Sequence, residues 1–337
     1  MIDRRALLAA AACSALTASA HVARAQPSGR FAQAARYSAE RGGVALLVAR
    51  HGVILGEDYP GGGGGMARWP IGAGTRMFMP LLYASLAADR ILSLDDPAAL
   101  TIGDWGAHPL KSTISIRSLL NGTSGIAFGA SPPGDLFAAI ALEPSDPPGV
   151  RFAADNAAYL VLTEIARRKL LEAGRDGDPA RYLTERTLAP IGCVPMGWTR
   201  WADGAPRFDD GAIVSAMGWA QAGELIRREG VWRASLLADG SALREALRGS
   251  FAEQRAGFGV WLAAPGRFAR GEPSVDSDLW RASSPAPIDL AMAAGAAGQR
   301  LFLSPSEGLV IVRQTNGEDV AAQWSDAQFL SLVWRGL

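Results

Sequence analysis

The chain has 337 residues, 49% of them apolar, and its 33 basic side chains balance 33 acidic ones. A neutral total argues against nucleic-acid binding, which needs a basic excess or stripe, and the apolar share excludes global disorder. Only two of the basic residues are lysines, Lys111 and Lys169, and lysine and arginine chemistry are not interchangeable.

Residues 1–25 read as a signal peptide. Arg4 and Arg5 precede an alanine- and leucine-rich run, and Ala23-Arg24-Ala25 makes a small-x-small cleavage site before Gln26. The paired arginines fit a twin-arginine signal apart from Asp3, where Ser or Thr is usual. An ordinary secretory signal reads equally well. Either signal predicts export to the periplasm or beyond. The mature chain keeps one cysteine, Cys193, and two histidines, His51 and His108. An internal disulfide is then ruled out, and no cysteine–histidine zinc site, other metal or cofactor is implied. No further apolar run of about eighteen residues follows, so no membrane span is expected after signal removal.

Residues 31–41 have helical spacing and stop at Gly42-Gly43. Residues 44–56 read as two strands turning at His51-Gly52. The glycine run 61–65 lacks the Lys-Ser/Thr ending of a phosphate loop and reads as a plain loop. A helix is expected over 74–91, and further helices over 114–120, 157–172, 181–188 and 215–228. Strands are expected over 258–262, 301–303 and 309–313, then a helix over 326–334. This order predicts an α/β fold, an antiparallel sheet flanked by helices with an inserted helical subdomain. The domain spans 26–337. Its sheet parts lie at about 26–72 and 251–337, and its mainly helical part at about 73–250.

Six blocks then carry a family likeness in order: Trp69-Pro-Ile-Gly-Ala-Gly-Thr-Arg76, Ile91-Leu-Ser-Leu-Asp-Asp-Pro97, Ile114 to Gly125 ("ISIRSLLNGTSG"), Pro147-Pro-Gly-Val-Arg-Phe152 with Asn156 and Tyr159, Ala189-Pro-Ile-Gly192, and Gly295 to Phe302 with Pro305 and Val310-Ile-Val-Arg313. Together they resemble the serine β-lactamase and penicillin-binding-protein superfamily, closest in look to class C-like β-lactamases, esterases and aminohexanoate-oligomer hydrolases. The resemblance implies a β-lactamase/transpeptidase-like fold. It also implies a serine acyl-hydrolase ancestor acting on amide or ester bonds through an acyl-enzyme. In that chemistry the serine of Ser-x-x-Lys attacks, the lysine and the tyrosine of Tyr-x-Asn move its proton, and a backbone oxyanion hole holds the developing charge.

Each of those side chains is replaced. The nucleophile position is Ala73, the lysine position Arg76 and the tyrosine position Ala154, with only Asn156 kept from Tyr-x-Asn. Alanine has no nucleophilic atom, and arginine stays protonated throughout the range in which proteins work. Neither lysine has a serine three residues before it. Pro80 withholds a hydrogen bond from the carbonyl of Arg76, which predicts a kink under the old motif. The expected protein is a non-catalytic homologue. Its pocket would use Ala73, Arg76, Asn156, Ala297, Gly298 and Gln299 to bind an anionic small molecule, a peptide carboxylate or a cell-wall fragment. Under that expectation the N–H of Ala73 stands at a helix start, and Arg76 supplies a planar donor fork. A rival has Arg76 salt-bridged to an acid and the pocket closed.

Two further alternatives come from other classes. One is an active amidase or esterase with a non-standard nucleophile, for which Thr75, Ser124, His51 and His108 are the candidates; the plain reading of Ser124 is a turn. The other is an interaction or scaffold protein, which a contiguous exposed cluster of Trp69, Trp105, Trp198, Trp201, Trp219 and Trp232 would mark. The acid pairs Asp95-Asp96 and Asp209-Asp210 read as turns and caps.

Overall fold

A computed structural model describes residues 29–128, 134–193, 197–263, 275, 277–281, 284–317 and 324–337. The signal-peptide expectation lies outside them. Helix α1 (Ala32–Ala39) leads into strands β1 (Gly43–Arg50) and β2 (Val53–Asp58), which turn at His51 and Gly52, both with positive φ. The short strand β3 (Arg68–Pro70) and a 3-10 segment (Gly72–Met77) precede helix α2 (Phe78–Ala88). The inserted part continues through α3 (Ile116–Leu120), α4 (Leu136–Ala141), α5 (Ala157–Glu172) and α6 (Pro179–Leu183), the last extended by a π-helical turn, Thr184–Leu188. It ends with β4 (Gly197–Trp198), β5 (Ala212–Ser215), α7 (Ala216–Arg227), the hairpin β6 (Val231–Trp232) and β7 (Ser235–Leu236), and α8 (Gly240–Ala246). Strands β8 (Trp261–Leu262), β9 (Ala291–Ala294), β10 (Arg300–Ser304) and β11 (Leu309–Thr315) return to the sheet, and α9 (Asp326–Trp334) follows.

The main sheet runs β2-β1-β11-β10-β9-β8, antiparallel at every step. Alternation of side chains along a strand divides its apolar residues between two faces. Leu46, Val48, Phe302 and Ile311 pack with Phe329, Leu330 and Val333 of α9 and with Ala34 and Ala35 of α1. Leu47, Ala49, Leu301, Leu303, Val310 and Val312 face the other way, into the core shared with α2, α5 and α7. Every residue of α2 from Phe78 to Leu86 is buried, so this helix runs through the core rather than over it. The inserted part is not purely helical, since β3, β5 and β4 form a second, three-stranded sheet.

Pro80 does not kink a helix. The α-helix begins at Phe78, which puts Pro80 in its first turn, where backbone N–H groups lack intrahelical acceptors in any case. Side-chain caps fix several other starts. Ser215 accepts from the N–H of Gly218, Asp239 from Ala242 and Ser325 from Gln328, and Ser115 and Ser118 close a capping box on α3.

Candidate functional site

A cleft of about 420 Å³ opens where the 3-10 segment before α2, the loop before α5, and the ends of β8 and β9 converge. Ala73, Arg76 and Ala154 all line it, as do Ala296, Ala297 and Gly298. The walls are brought together by close backbone approach. Gly295 lies so near the carbonyl of Ile71 that an added Cβ would sit 2.1 Å from that oxygen. Gly72, at φ +53°, turns the chain against Ala296. Ala297 is held in the left-handed region (φ 53°, ψ 25°), which costs a side-chain-bearing residue roughly 1–2 kcal/mol. The guanidinium of Arg313 offsets that cost by donating to the carbonyls of Ala297 (3.1 Å) and Gly298 (2.7 Å) from beneath the loop, with its Cζ 4.0 Å from the centre of the Trp324 ring. Ala73 lies in the 3-10 turn five residues before the first α-helical residue, so its N–H is not at an α-helix start as the sequence predicted.

Arg76 donates through Nη1 to the carbonyl of Ala154 (2.9 Å), and its Cζ lies 5.1 Å from the centre of the Tyr159 ring. Its Nε is buried without an acceptor. Among the described residues no carboxylate forms an ion pair with it, contrary to the closed, salt-bridged alternative. The one acid in the described lining is Asp155, whose Oδ1 accepts from the N–H of Ala157 (2.9 Å) and Oδ2 from that of Phe128 (3.2 Å). Burial pushes its carboxyl above the ordinary carboxylate range, against the pull of those two N–H groups and of the Arg76 charge. Phe152, Tyr159, Trp261 and Trp324 supply aromatic surface.

Two predicted ligand-binding residues are placed elsewhere. Asn156 gives its amide to Oδ2 of Asp209 (2.8 Å) and does not line the cleft. Asp209 is itself buried, 3% exposed, and lies 3.6 Å from Arg207, so it is no surface turn acid. Gln299 spends its amide on the carbonyls of Pro70 (2.8 Å) and Thr315 (2.9 Å) and accepts from the N–H of Thr315, pinning the cleft loop to β11.

The substitute nucleophiles are likewise committed. Thr75 is buried, donates to the carbonyl of Gly72 (2.6 Å) and accepts from Ala212 (3.0 Å). Ser124 is buried and accepts from the N–H of Ile126. His108 takes the N–H groups of Leu110 and Lys111 on Nδ1 and meets Glu143 through Nε2. His51 sits at the β1–β2 turn. None of the four lines the cleft. None of the ten tryptophans is exposed, so they form no surface cluster. Among the described residues no group of three or more His, Cys, Asp or Glu is placed to hold a metal ion, and no helix is long and apolar enough to cross a membrane. Asp155, between Ala154 and Asn156, is a cleft residue to which none of the replaced motif positions points, although its place in the sequence beside them is visible.

This fold has counterparts among known proteins. The Beta-lactamase family model matches residues 29–330, and the chain belongs to that family. Similar solved structures include a β-lactamase described as putative from Bacteroides dorei DSM 17855 (16% identity, 87% of this chain and 93% of that one, TM-score 0.67). A 6-aminohexanoate-dimer hydrolase, likewise titled putative, from Bacillus anthracis matches at 14% identity over 89% and 79%, TM-score 0.67. EstCE1, titled a hydrolase with promiscuous acyltransferase activity, matches at 15% over 91% and 97%, TM-score 0.67. At these identities the likeness is one of fold. No curated protein sequence matches the chain.

Proposed function

We propose that this chain is an exported, non-catalytic member of a serine-hydrolase family that keeps the ancestral cleft as a binding site for a small anion. One observation carries the reading. The described lining of the cleft contains Arg76 but no Ser, Thr, Cys, His or Lys. An acyl-enzyme needs a nucleophile and a group to take its proton, and replacing both with the tyrosine removes the route rather than slowing it. Anion binding needs only donors and positive charge, and Arg76 supplies both with no carboxylate ion-paired to it among the described residues.

Labelling by a fluorescent penicillin or fluorophosphonate, with turnover of nitrocefin and p-nitrophenyl esters, tests the first half. No labelling and no turnover are expected, and covalent labelling would overturn the non-catalytic reading. Thermal shifts across acidic peptides and acidic sugars, wild type against Arg76→Ala, test the second. A stabilising shift lost in the variant is expected; shifts indifferent to Arg76 refute it. Sequencing the N-terminus of the secreted product is expected to give Gln26 first.

A further inference from the structure

Arg76 is not the only charged group of the cleft left without a counter-ion. Asp155 lines the same cavity, and among the described residues neither forms an ion pair with the other or with a third group. A carboxylate offers about four lone-pair positions, and Asp155 uses one on each oxygen, both for backbone N–H groups that fix its orientation. The remaining positions have no described partner. A half-buried carboxylate in that condition bears a desolvation cost that a cation would offset.

We propose that the ligand of the cleft is a zwitterion, with its carboxylate on Arg76, its ammonium on Asp155 and an apolar body against Phe152 and Trp261. The proposal rests on the anion-binding reading and names the chemistry of that same site. Size and lining agree with it. A cavity of about 420 Å³ suits a molecule of amino-acid or dipeptide size, and its lining includes the apolar side chains of Leu119, Leu120, Phe152, Val260 and Trp261. The Tyr159 ring lies against the Arg76 guanidinium and helps hold it at the cleft. The placement of Asp155 also discriminates. A simple anion or a polyanion would meet an unneutralised carboxylate next to its anchor, and like-charge juxtaposition is a standard means of rejecting a wrong ligand. A ligand that brings its own ammonium removes that penalty.

The test uses matched probes on the full mature chain, read by calorimetry and by the change in tryptophan fluorescence on binding. Phenylalanine and leucine, each as both enantiomers, are compared with 3-phenylpropanoate and 4-methylpentanoate, which lack the ammonium, and with 2-phenylethylamine, which lacks the carboxylate. At least one amino acid is expected to bind tenfold or more tighter than its deaminated acid, with the amine weakest. Asp155→Asn is expected to erase that advantage while the acid binds as well as before or better. Should the variant fold poorly by thermal melt, the wild-type comparison decides by itself. Equal binding of amino acid and deaminated acid, both lost in Arg76→Ala, would overturn the zwitterion and leave the anion site standing. No Arg76-dependent binding of any probe would overturn both.

Discussion

Four residues, two of them a pair, show how burial decides what a side chain does. Cys193 is the only free thiol described, and burial pushes its pKa up to about 12. Since the thiolate is the reactive form, the native protein is expected to resist iodoacetamide and disulfide reagents at neutral pH and to react once unfolded; a labelling time course in and out of denaturant measures this. Burial also raises the Asp155 carboxyl, and the consequence there is a pH dependence of stability. Its folded carboxyl holds its proton more firmly than the unfolded one, so its contribution to stability is full below the unfolded value of about 3.9 and is lost as pH rises through the folded value. Wild type is therefore expected to gain stability relative to Asp155→Asn as pH falls into the range just above that unfolded value, in denaturant melts run at stepped pH. Arg300 and Asp326 form a buried pair at 2.9 Å, 4% and 0% exposed. Asp326→Ala removes the buried counter-charge of Arg300, which keeps only carbonyl acceptors such as those of Gly295 and Gln299, and a loss of about 3–5 kcal/mol is expected in urea titrations.

At the level of elements, the sequence was most readable where a local signal and the packing agreed. Helices over 157–172 and 326–334 lie at the predicted bounds, and the expected hairpin turns at His51-Gly52. Strand β9 was missed because Ala291-Met-Ala-Ala294 has little β-propensity of its own. It is a strand because β10 and β8 pair with it on either side, an instance of context outweighing preference. Helix α2 was predicted too long, because Gly74 and Thr75 continue its spacing while Thr75 turns back to the carbonyl of Gly72 and holds the segment in 3-10 form. The same offset brings Pro80 into the first turn. Pro80→Ala is expected to change stability by no more than about 1 kcal/mol, against about 3 for a proline inside a helix, and a thermal melt separates the two. Ser215→Ala removes the cap of α7 and is expected to cost about 1 kcal/mol by the same measurement.

Across the whole molecule, the replaced motif positions could be read by number alone, while what surrounds them could not. That Ala73, Arg76, Ala154 and Ala297 face one cleft depends on contacts such as Gly295 against Ile71, with more than two hundred positions between them in the chain. The diversion of Asn156 to Asp209 and of Gln299 to Pro70 and Thr315 is equally non-local, and spacing carries no trace of it. One feature of the sheet reaches beyond the folded state. Strand β1 lies between β2 and β11, its Leu47 opposite Val312. During synthesis β1 and β2 emerge well before β11, so that edge of β1 has no partner until β11 follows. Closing so wide a loop is slow compared with forming local helices. For that interval the hairpin presents an apolar, unpaired edge of the kind that recruits other chains.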